Sequence, residues 1–226
     1  MKTIRRLLAC TLAALMLLSL TACSGLTDAL VEESATILVQ GNLDVLYLGK
    51  VTDEYLESTV STKEECLQLY EEGLGMEADF FASYFGIEYF TDDLRNKVID
   101  LYRDIYSHSN FTVGAASCVD DTTTVVMLEV QPIDLFVQLT DQAETLLADF
   151  YAKYTEDVVN AMSAAEYVAY DAEWAETLIA ACRLLLPNVS YEETETIPVQ
   201  VVLQDEVWSI ANDSMSEVDT VIIAYP

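Results

Sequence analysis

Asn110-Phe111-Thr112-Val113-Gly114-Ala115-Ala116 and, after Asp120-Asp121, Thr122-Thr123-Thr124-Val125-Val126-Met127-Leu128-Glu129-Val130 decide the fold class. In the first run Phe111, Val113 and Ala115 alternate with Thr112, Gly114 and Ala116. That two-residue period sends successive side chains to opposite faces of a strand. The second run is rich in β-branched residues, puts Val126, Leu128 and Val130 on one face, and stops at Pro132, which has no N–H for a ladder. Asp120-Asp121 between them reads as a hairpin turn. A second hairpin follows near the C-terminus. Residues 195–203 set Ile197, Val199, Val201 and Leu203 against Thr196, Pro198 and Gln200, and Asp205-Glu206 turns the chain into 207–211, where Trp208 and Ile210 share a face. Pro198 implies that this strand is an edge, or that its pairing begins after the proline.

Outside these hairpins the apolar residues recur with a helical period. Residues 28–46 carry Ala29, Leu30, Ala35, Leu38 and Leu43 on a helix. A second helix spans 62–84, opened by a capping box of Thr62 and Glu65. It places Cys66, Leu69, Tyr70 and Gly73 on one side, continues the stripe through Phe80, Phe81, Tyr84 and Phe85, and has Gly73 and Gly75 as bending points. Thr91 caps a third helix through Tyr106, with Leu94, Val98, Leu101 and Ile105 at i, i+4, i+7 and i+11. Between the hairpins two long helical stretches are expected, 134–162 and 164–186, the latter ended by Pro187. Helices, a hairpin, helices and another hairpin describe an α+β fold: an antiparallel sheet of about four strands in two hairpins, with several helices packed on one face. The two halves share no residue-level match, so residues 27–226 are expected to form a single domain.

The N-terminus has a different character. Lys2, Arg5 and Arg6 precede an apolar run from Leu7 to Leu20 broken only by Thr11 and Ser19, the pattern of an export signal. The run is shorter than the roughly 20 apolar residues of a membrane-spanning helix. It ends in Leu20-Thr21-Ala22-Cys23, which resembles a lipobox: an aliphatic residue, two small residues, then the cysteine whose thiol takes a diacylglyceryl group. Cleavage between Ala22 and Cys23 would make residues 1–22 a signal peptide and Cys23 the lipidated first residue, with 23–26 a short linker. Two acyl chains suffice for stable attachment, since each buried methylene contributes about 0.8 kcal/mol. The expected address is the extracytoplasmic face of the cell membrane, and the expected membrane partner is reached through that anchor.

Removing residues 1–22 leaves 204 residues in which seven Lys and Arg face 39 Asp and Glu, a formal charge of −32. Such a surface repels phosphate backbones, so no nucleic-acid partner is expected. It also repels anionic headgroups, so the folded part is held to the membrane by its lipid alone. The chain is 52% hydrophobic and 10% aromatic, enough for a packed core. Cys10 leaves with the signal and Cys23 is acylated, which leaves Cys66, Cys118 and Cys182 at long spacings with no CxxC pair. They are read as buried, inert thiols.

The lipobox, Leu38-Val39-Gln40-Gly41-Asn42-Leu43-Asp44 with Tyr47-Leu48-Gly49, Tyr102-Arg103-Asp104-Ile105-Tyr106-Ser107-His108-Ser109, Gln131-Pro132-Ile133-Asp134 and Trp208-Ser209-Ile210 together resemble uncharacterised lipoproteins of gut Firmicutes. The resemblance implies an NTF2-like or cystatin-like α+β domain, a curved sheet wrapping a helix, often with a cone-shaped pocket. This chain departs from it in having far more helix, and the family brings no activity with it.

The inventory for chemistry is sparse. The single histidine, His108, follows the third helix, where a cationic cap or a surface turn is its simpler role. No GxSxG, Walker loop, GxGxxG or HExxH occurs, so no catalytic residue and no cofactor is assigned. Asp92-Asp93, Asp120-Asp121 and Glu192-Glu193-Glu195 lack the alternating spacing of a calcium loop, so no metal site is assigned. Carboxylates abundant enough to meet in space leave a glycosidase pair open. Sequons at Asn110, Asn188 and Asn212 are read as accidental. The aromatic stretch is the distinctive feature: it reads as core, or as an apolar pocket in which Phe81, Tyr84, Phe85, Tyr102 and Tyr106 would receive a ligand. The leading expectation is a non-enzymatic envelope module for a small ligand or a basic protein partner. A carboxylate-based hydrolase acting on cell-wall or dietary glycans is the alternative, and a transporter's solute-binding component is weaker because it usually needs two α/β lobes.

Overall fold

The computed structural model describes residues 28–226; the signal, Ala22 and Cys23 lie outside the described residues. Helix α1 (Asp28–Leu48), α2 (Asp53–Ser58), α3 (Lys63–Tyr84) and α4 (Asp92–Tyr106) precede strands β1 (Asn110–Asp120) and β2 (Thr123–Gln131). Helices α5 (Leu135–Asp141), α6 (Ala143–Leu146), α7 (Ala148–Lys153), α8 (Glu156–Asn160) and α9 (Ala164–Leu185) follow, then β3 (Glu195–Gln204), β4 (Val207–Ile210) and α10 (Asn212–Val221). The fold is α+β. Its contacts gather into two compact units built from interleaved segments, 28–73 with Ser109–Pro132 and Glu192–Ile222, and Leu74–His108 with Ile133–Tyr191 and Ile223–Pro226.

The first unit holds the sheet. All four strands join in one antiparallel sheet of order β1-β2-β3-β4, so the two hairpins are halves of a single sheet. Val126, Leu128 and Val130 pair in register with Val199, Ile197 and Glu195, and Val126, Leu128, Ile197 and Val199 are buried while Met127 and Pro198 between them are exposed. One face is therefore core and the other meets solvent. Helix α1 packs on β1 and β2, and α10, which the sequence reading did not anticipate, packs on β3.

Two local rules adjust the expected strands. The register of β1 slips between Val113 and Ala116, where three steps oppose two from Leu128 to Val126. This β-bulge turns Ala115 outward, away from the face it shares with Val113 by simple alternation, and turns Ala116 and Cys118 toward it. Pro198 pairs opposite Met127 in the middle of β3, so the strand is interior on that side. On its other side β4 pairs only with residues 201–204 of β3. There the Gln200 N–H donates to Ser214 Oγ of α10 at 3.0 Å, and the Ala211 N–H to the Gln200 carbonyl at 2.8 Å. Residues two apart on a strand point their N–H groups the same way. The missing donor of Pro198 therefore faces the side where no strand pairs, and the proline costs no ladder bond. The β3–β4 turn places Asp205 and Glu206 at φ 50° and 66°, the left-handed pair that suits the twist of a two-residue hairpin.

Helix α1 ends at Gly49, whose φ of 61° lets its N–H reach the Val45 carbonyl and the Lys50 N–H reach that of Asp44. The short helix α2, also unanticipated, opens at Thr52, whose side chain accepts the Tyr55 N–H at 3.2 Å. Its fully buried Tyr55 lies over Gly41 of α1, where a Cβ would overlap the ring.

In the second unit α9 packs against α4 and α5. It starts at a full capping box, the Glu166 N–H donating to Ser163 Oγ and the Ser163 N–H to the Glu166 carboxylate. The stretch 134–162, expected as one long helix, is four short ones, α5 to α8. The physical reason lies in its burial: Leu135 and Leu139 fit one stripe, but Leu147 and Phe150 are the next buried residues and 155–158 are exposed. A straight helix cannot serve so slipped and thin a stripe, and most helical stability comes from packing one face. Helix α3 runs unbroken past Gly75, whose bare backbone lets the Arg95 guanidinium donate to the Gly75 carbonyl at 2.9 Å. Among the described residues no helix is long and apolar enough to cross a membrane.

Candidate functional site

The five aromatic residues singled out in the sequence come together in the second unit. Phe81, Tyr84 and Phe85 end α3 or follow it directly, and Tyr102 and Tyr106 lie on α4. Phe81 meets Phe85 at 4.7 Å between ring centroids and Tyr102 edge-on at 6.4 Å, and Tyr102 meets Tyr106 at 6.0 Å. Phe136 of α5 touches Phe81, Phe85 and Tyr102 and stacks on Tyr225 at 4.6 Å. Phe81, Tyr102 and Tyr106 are buried, Tyr84 and Phe85 half-buried. The buried hydroxyls bond inside the protein, Tyr102 with the Tyr225 hydroxyl at 2.7 Å and Tyr106 donating to Glu77 Oε1 at 2.7 Å. These rings fill one another's space.

A second set of rings, of which only Tyr89 belongs to the aromatic stretch read in the sequence, opens to solvent. Helix α9 carries Tyr167, Tyr170 and Trp174 at i, i+3 and i+7, one face of the helix. Phe150 and Tyr151 on α7, Tyr154 just beyond it, and Tyr89 between α3 and α4 complete the set. Tyr89 meets Tyr167 nearly at right angles, 6.2 Å and 72°, and Tyr167 meets Tyr170 at 5.5 Å. Tyr170 in turn meets Tyr154 edge-on at 4.9 Å and Phe150 at 5.3 Å, and Phe150 lies 4.9 Å from Trp174. Tyr89 and Tyr151 are 44% and 48% exposed, and Tyr154, Tyr167 and Tyr170 are half-buried. The Trp174 indole N–H donates to the Phe85 carbonyl at 3.0 Å, which fixes the back of the set.

Negative charge underlies these rings. Asp171, beside Tyr170 on α9, is 1% exposed; its Oδ2 accepts the Tyr89 N–H at 2.5 Å and its Oδ1 has no hydrogen-bond partner. Burial, then Glu88 and Asp171, push the Tyr167 hydroxyl above the ordinary phenol range, and burial followed by Asp171 does the same to Tyr170. Both ring hydroxyls therefore sit in a field that opposes further negative charge. At the other end Glu173 accepts from the Lys153 ammonium at 2.6 Å and from the Tyr154 hydroxyl at 2.7 Å. Those two bonds, Lys153 first, hold its carboxyl below the usual range. The Lys153 ammonium also lies 4.7 Å from the centre of the Tyr154 ring. A groove of about 400 Å³ lined by Leu146, Phe150, Lys153, Glu173, Thr177 and Leu184 adjoins this end.

No protein-family model and no curated protein matches the chain. One solved structure does. It is the 2.62 Å crystal structure of ycdA, assigned as a lipoprotein, from Bacillus subtilis subsp. subtilis str. 168. The two chains superpose with a TM-score of 0.60 at 16% identity, over 84% of this chain. This chain spans 56% of the length of ycdA. At that identity the likeness is one of fold.

The remaining candidates take structural places. Cys66 and Cys182 are buried on α3 and α9, and Cys118 is half-buried on β1; none is in a disulfide. Burial drives the Cys182 thiol up to about 12, and burial followed by Glu65 raises that of Cys66, so neither is a nucleophile at neutral pH. His108 closes α4, its N–H donating to the Ile105 carbonyl and its own carbonyl accepting the Tyr191 hydroxyl. Among the described residues no group of three or more His, Cys, Asp and Glu side chains is placed to hold a metal.

Proposed function

We propose that this chain is an exported lipoprotein, anchored through Cys23 at the extracytoplasmic face of the cell membrane, whose folded part is a non-enzymatic binding module. The address rests on the basic start, the short apolar run and the Leu20-Thr21-Ala22-Cys23 lipobox, and is supported by the likeness of fold to a Bacillus protein assigned as a lipoprotein. The finer placing, among gut Firmicutes lipoproteins with an NTF2-like or cystatin-like domain, draws on the sequence motifs and on the helix-on-sheet arrangement of the first unit.

The observation that carries the binding role is the solvent-open ring surface of α7, α9 and Tyr89. Rings held half-exposed by a buried frame have given up part of their burial energy, about 25 cal/mol for each Å² left in water. Contiguous exposed apolar surface of this kind marks interaction sites. The carboxylates beside it favour binding over hydrolysis. Asp171 is sealed from solvent and Glu173 is tied to Lys153 and Tyr154, so neither stands ready to hold or deliver a catalytic proton.

Replacement of Cys23 by serine tests the address. The variant is expected to lose incorporation of labelled palmitate, to keep its signal, and to leave the lipid-anchored fraction. Normal maturation of Cys23→Ser with retention in the membrane fraction would remove the anchor from this account. The role is tested by incubating the protein with cell-wall and dietary glycans: release of reducing ends would replace the binding module by the hydrolase.

A further inference from the structure

Where the ring surface ends at Lys153 and Glu173, the groove of about 400 Å³ runs on along α9. Glu173, Thr177, Ala180 and Leu184 stand on α9 at i, i+4, i+7 and i+11. They share one face of the helix over about three turns, roughly 16 Å. Leu146 of α6 and Asp149, Phe150 and Lys153 of α7 line the facing wall. Leu184 is 66% exposed, more than any other large apolar side chain among the described residues. Asp149, Lys153 and Ala180 are exposed as well, so the groove is an open trough. Small-molecule sites cover most of their ligand's surface, whereas a trough leaves one side of its occupant in water. It suits an element that supplies that other side itself.

The charge on the walls narrows the choice. Lys153 donates to both oxygens of Glu173, at 2.7 and 2.6 Å. Arg183, the only other cation between Ala143 and Leu185, pairs with Asp104 of α4 at 2.6 Å. Eight Asp and Glu stand against these two cations in that stretch, and Asp149 has no ion pair among the described residues. The excess attracts a cationic occupant. It repels a second copy of this chain, which carries the same excess, and equally an anionic lipid surface.

Both walls are helices, with no strand edge to pair with an extended backbone. An amphipathic helix satisfies its own backbone and lays one apolar face into such a groove. Ala180 and Ala181 keep the α9 wall low, which lets two helix axes come close.

We propose that the groove between α6–α7 and α9 docks a basic amphipathic helix of a protein partner, its apolar face on Leu146, Ala180 and Leu184 and its Lys or Arg side chains beside Asp149. This rests on the reading of the protein as a binding module and names the partner's chemistry.

The full-length chain in phosphatidylcholine nanodiscs is titrated calorimetrically with a peptide of leucine and lysine, its leucines at i, i+3, i+4 and i+7, and empty nanodiscs serve as the reference. A scrambled isomer keeps composition and charge without the apolar face. A counterpart with glutamate for lysine keeps the face and reverses the charge. The lysine peptide is expected to bind at least about tenfold more tightly than either. Leu184→Ser and Ala180→Trp, both at exposed positions, should each weaken binding about tenfold. Asp149→Asn should weaken it about threefold and flatten its salt dependence. Val60→Ser, at an exposed apolar position of the first unit, should leave binding unchanged.

Equal binding of the scrambled or the glutamate peptide would overturn the proposal. So would binding untouched by both Leu184→Ser and Ala180→Trp, or no binding by protein with wild-type circular dichroism. Concentration-dependent dimers in sedimentation that Ala180→Trp abolishes would give the groove to a second copy and overturn it too. A chain that neither binds the peptide nor releases reducing ends from glycans loses the groove alone, whereas release of reducing ends removes the binding-module reading itself.

Discussion

The Asp171 carboxylate accepts the backbone N–H of Tyr89, a residue 82 positions earlier in the chain, at 2.5 Å. This bond pins an exposed tyrosine over a buried charge, and the acceptor and the charge can be separated by mutation. Asp171→Asn keeps an acceptor oxygen and removes the charge, so it should unfold at the same urea concentration as the wild type or a higher one. Asp171→Ala leaves the Tyr89 N–H without its acceptor and should lose about 1–3 kcal/mol of stability in the same measurement. An Asn variant as unstable as the Ala variant would show that the negative charge itself holds the fold.

The contact of Gly41 with Tyr55 tolerates no side chain. A Cβ on α1 at this point would overlap ring carbons of a tyrosine that is fully buried. Gly41→Ala is therefore expected to destabilise the protein by about 1–3 kcal/mol, despite the higher helix propensity of alanine. Added to Tyr55→Leu, the same change should cost much less, a coupling that a double-mutant cycle by chemical denaturation reads directly.

Two capping boxes respond to acid. In α3 the Thr62 N–H and hydroxyl donate to Glu65, and at the start of α9 the Ser163 N–H and hydroxyl donate to Glu166. These bonds hold both carboxyls below the ordinary glutamate range. A group with a depressed folded pKa contributes fully above its unfolded value, about 4.3 for glutamate. The contribution fades as pH falls below that value and is gone once the folded carboxyl is protonated. Thermal midpoints followed downward from pH 6 should fall more steeply for the wild type than for Thr62→Ala or Ser163→Ala. Parallel curves would mean that the boxes are not formed in solution.

The thiols report both packing and processing. Cys182 and Cys66 are buried with raised pKa, whereas Cys118 lies half-exposed on β1 with its Sγ 3.5 Å from Thr124 Oγ1 and its N–H donating to Glu32 of α1. At pH 8 a maleimide should label Cys118 well before the other two in the native protein. If, as proposed, Cys10 leaves with the signal and Cys23 carries lipid, the denatured mature chain should show three thiols out of the five in the sequence. A fourth would mean that Cys23 is unmodified.

Helices α3, α4 and α9 were legible because each has a cap and a long regular stripe, as in Leu94, Val98, Leu101 and Ile105 on α4, all of them buried. Where the stripe is thin, in 134–162, periodicity overestimates the helix, because a pattern of apolar residues does not say how much surface awaits them. Helices α2 and α10 are too short or too polar to show a stripe and owe their form to neighbours, Gly41 for Tyr55 and the edge of β3 for Ser214. The ring surface of α9 was written at i, i+3 and i+7 in Tyr167, Tyr170 and Trp174. It escaped notice because the same spacing normally means core.

By itself, the sequence carried the pattern on which the proposed export signal and lipobox rest, the excess of acid over base, the α+β class and the position of both hairpins. These follow from local rules: side-chain period, turn chemistry and the order of charge and apolar runs. Only the tertiary structure decided that the two hairpins share one sheet, that β1 bulges, and that Phe81 and Tyr102 are sealed while Tyr89 and Tyr167 meet water over a buried Asp171. Exposure is a property of what the rest of the chain leaves uncovered, and residues as far apart as 89 and 171 acquire a common environment only when the chain has closed around them.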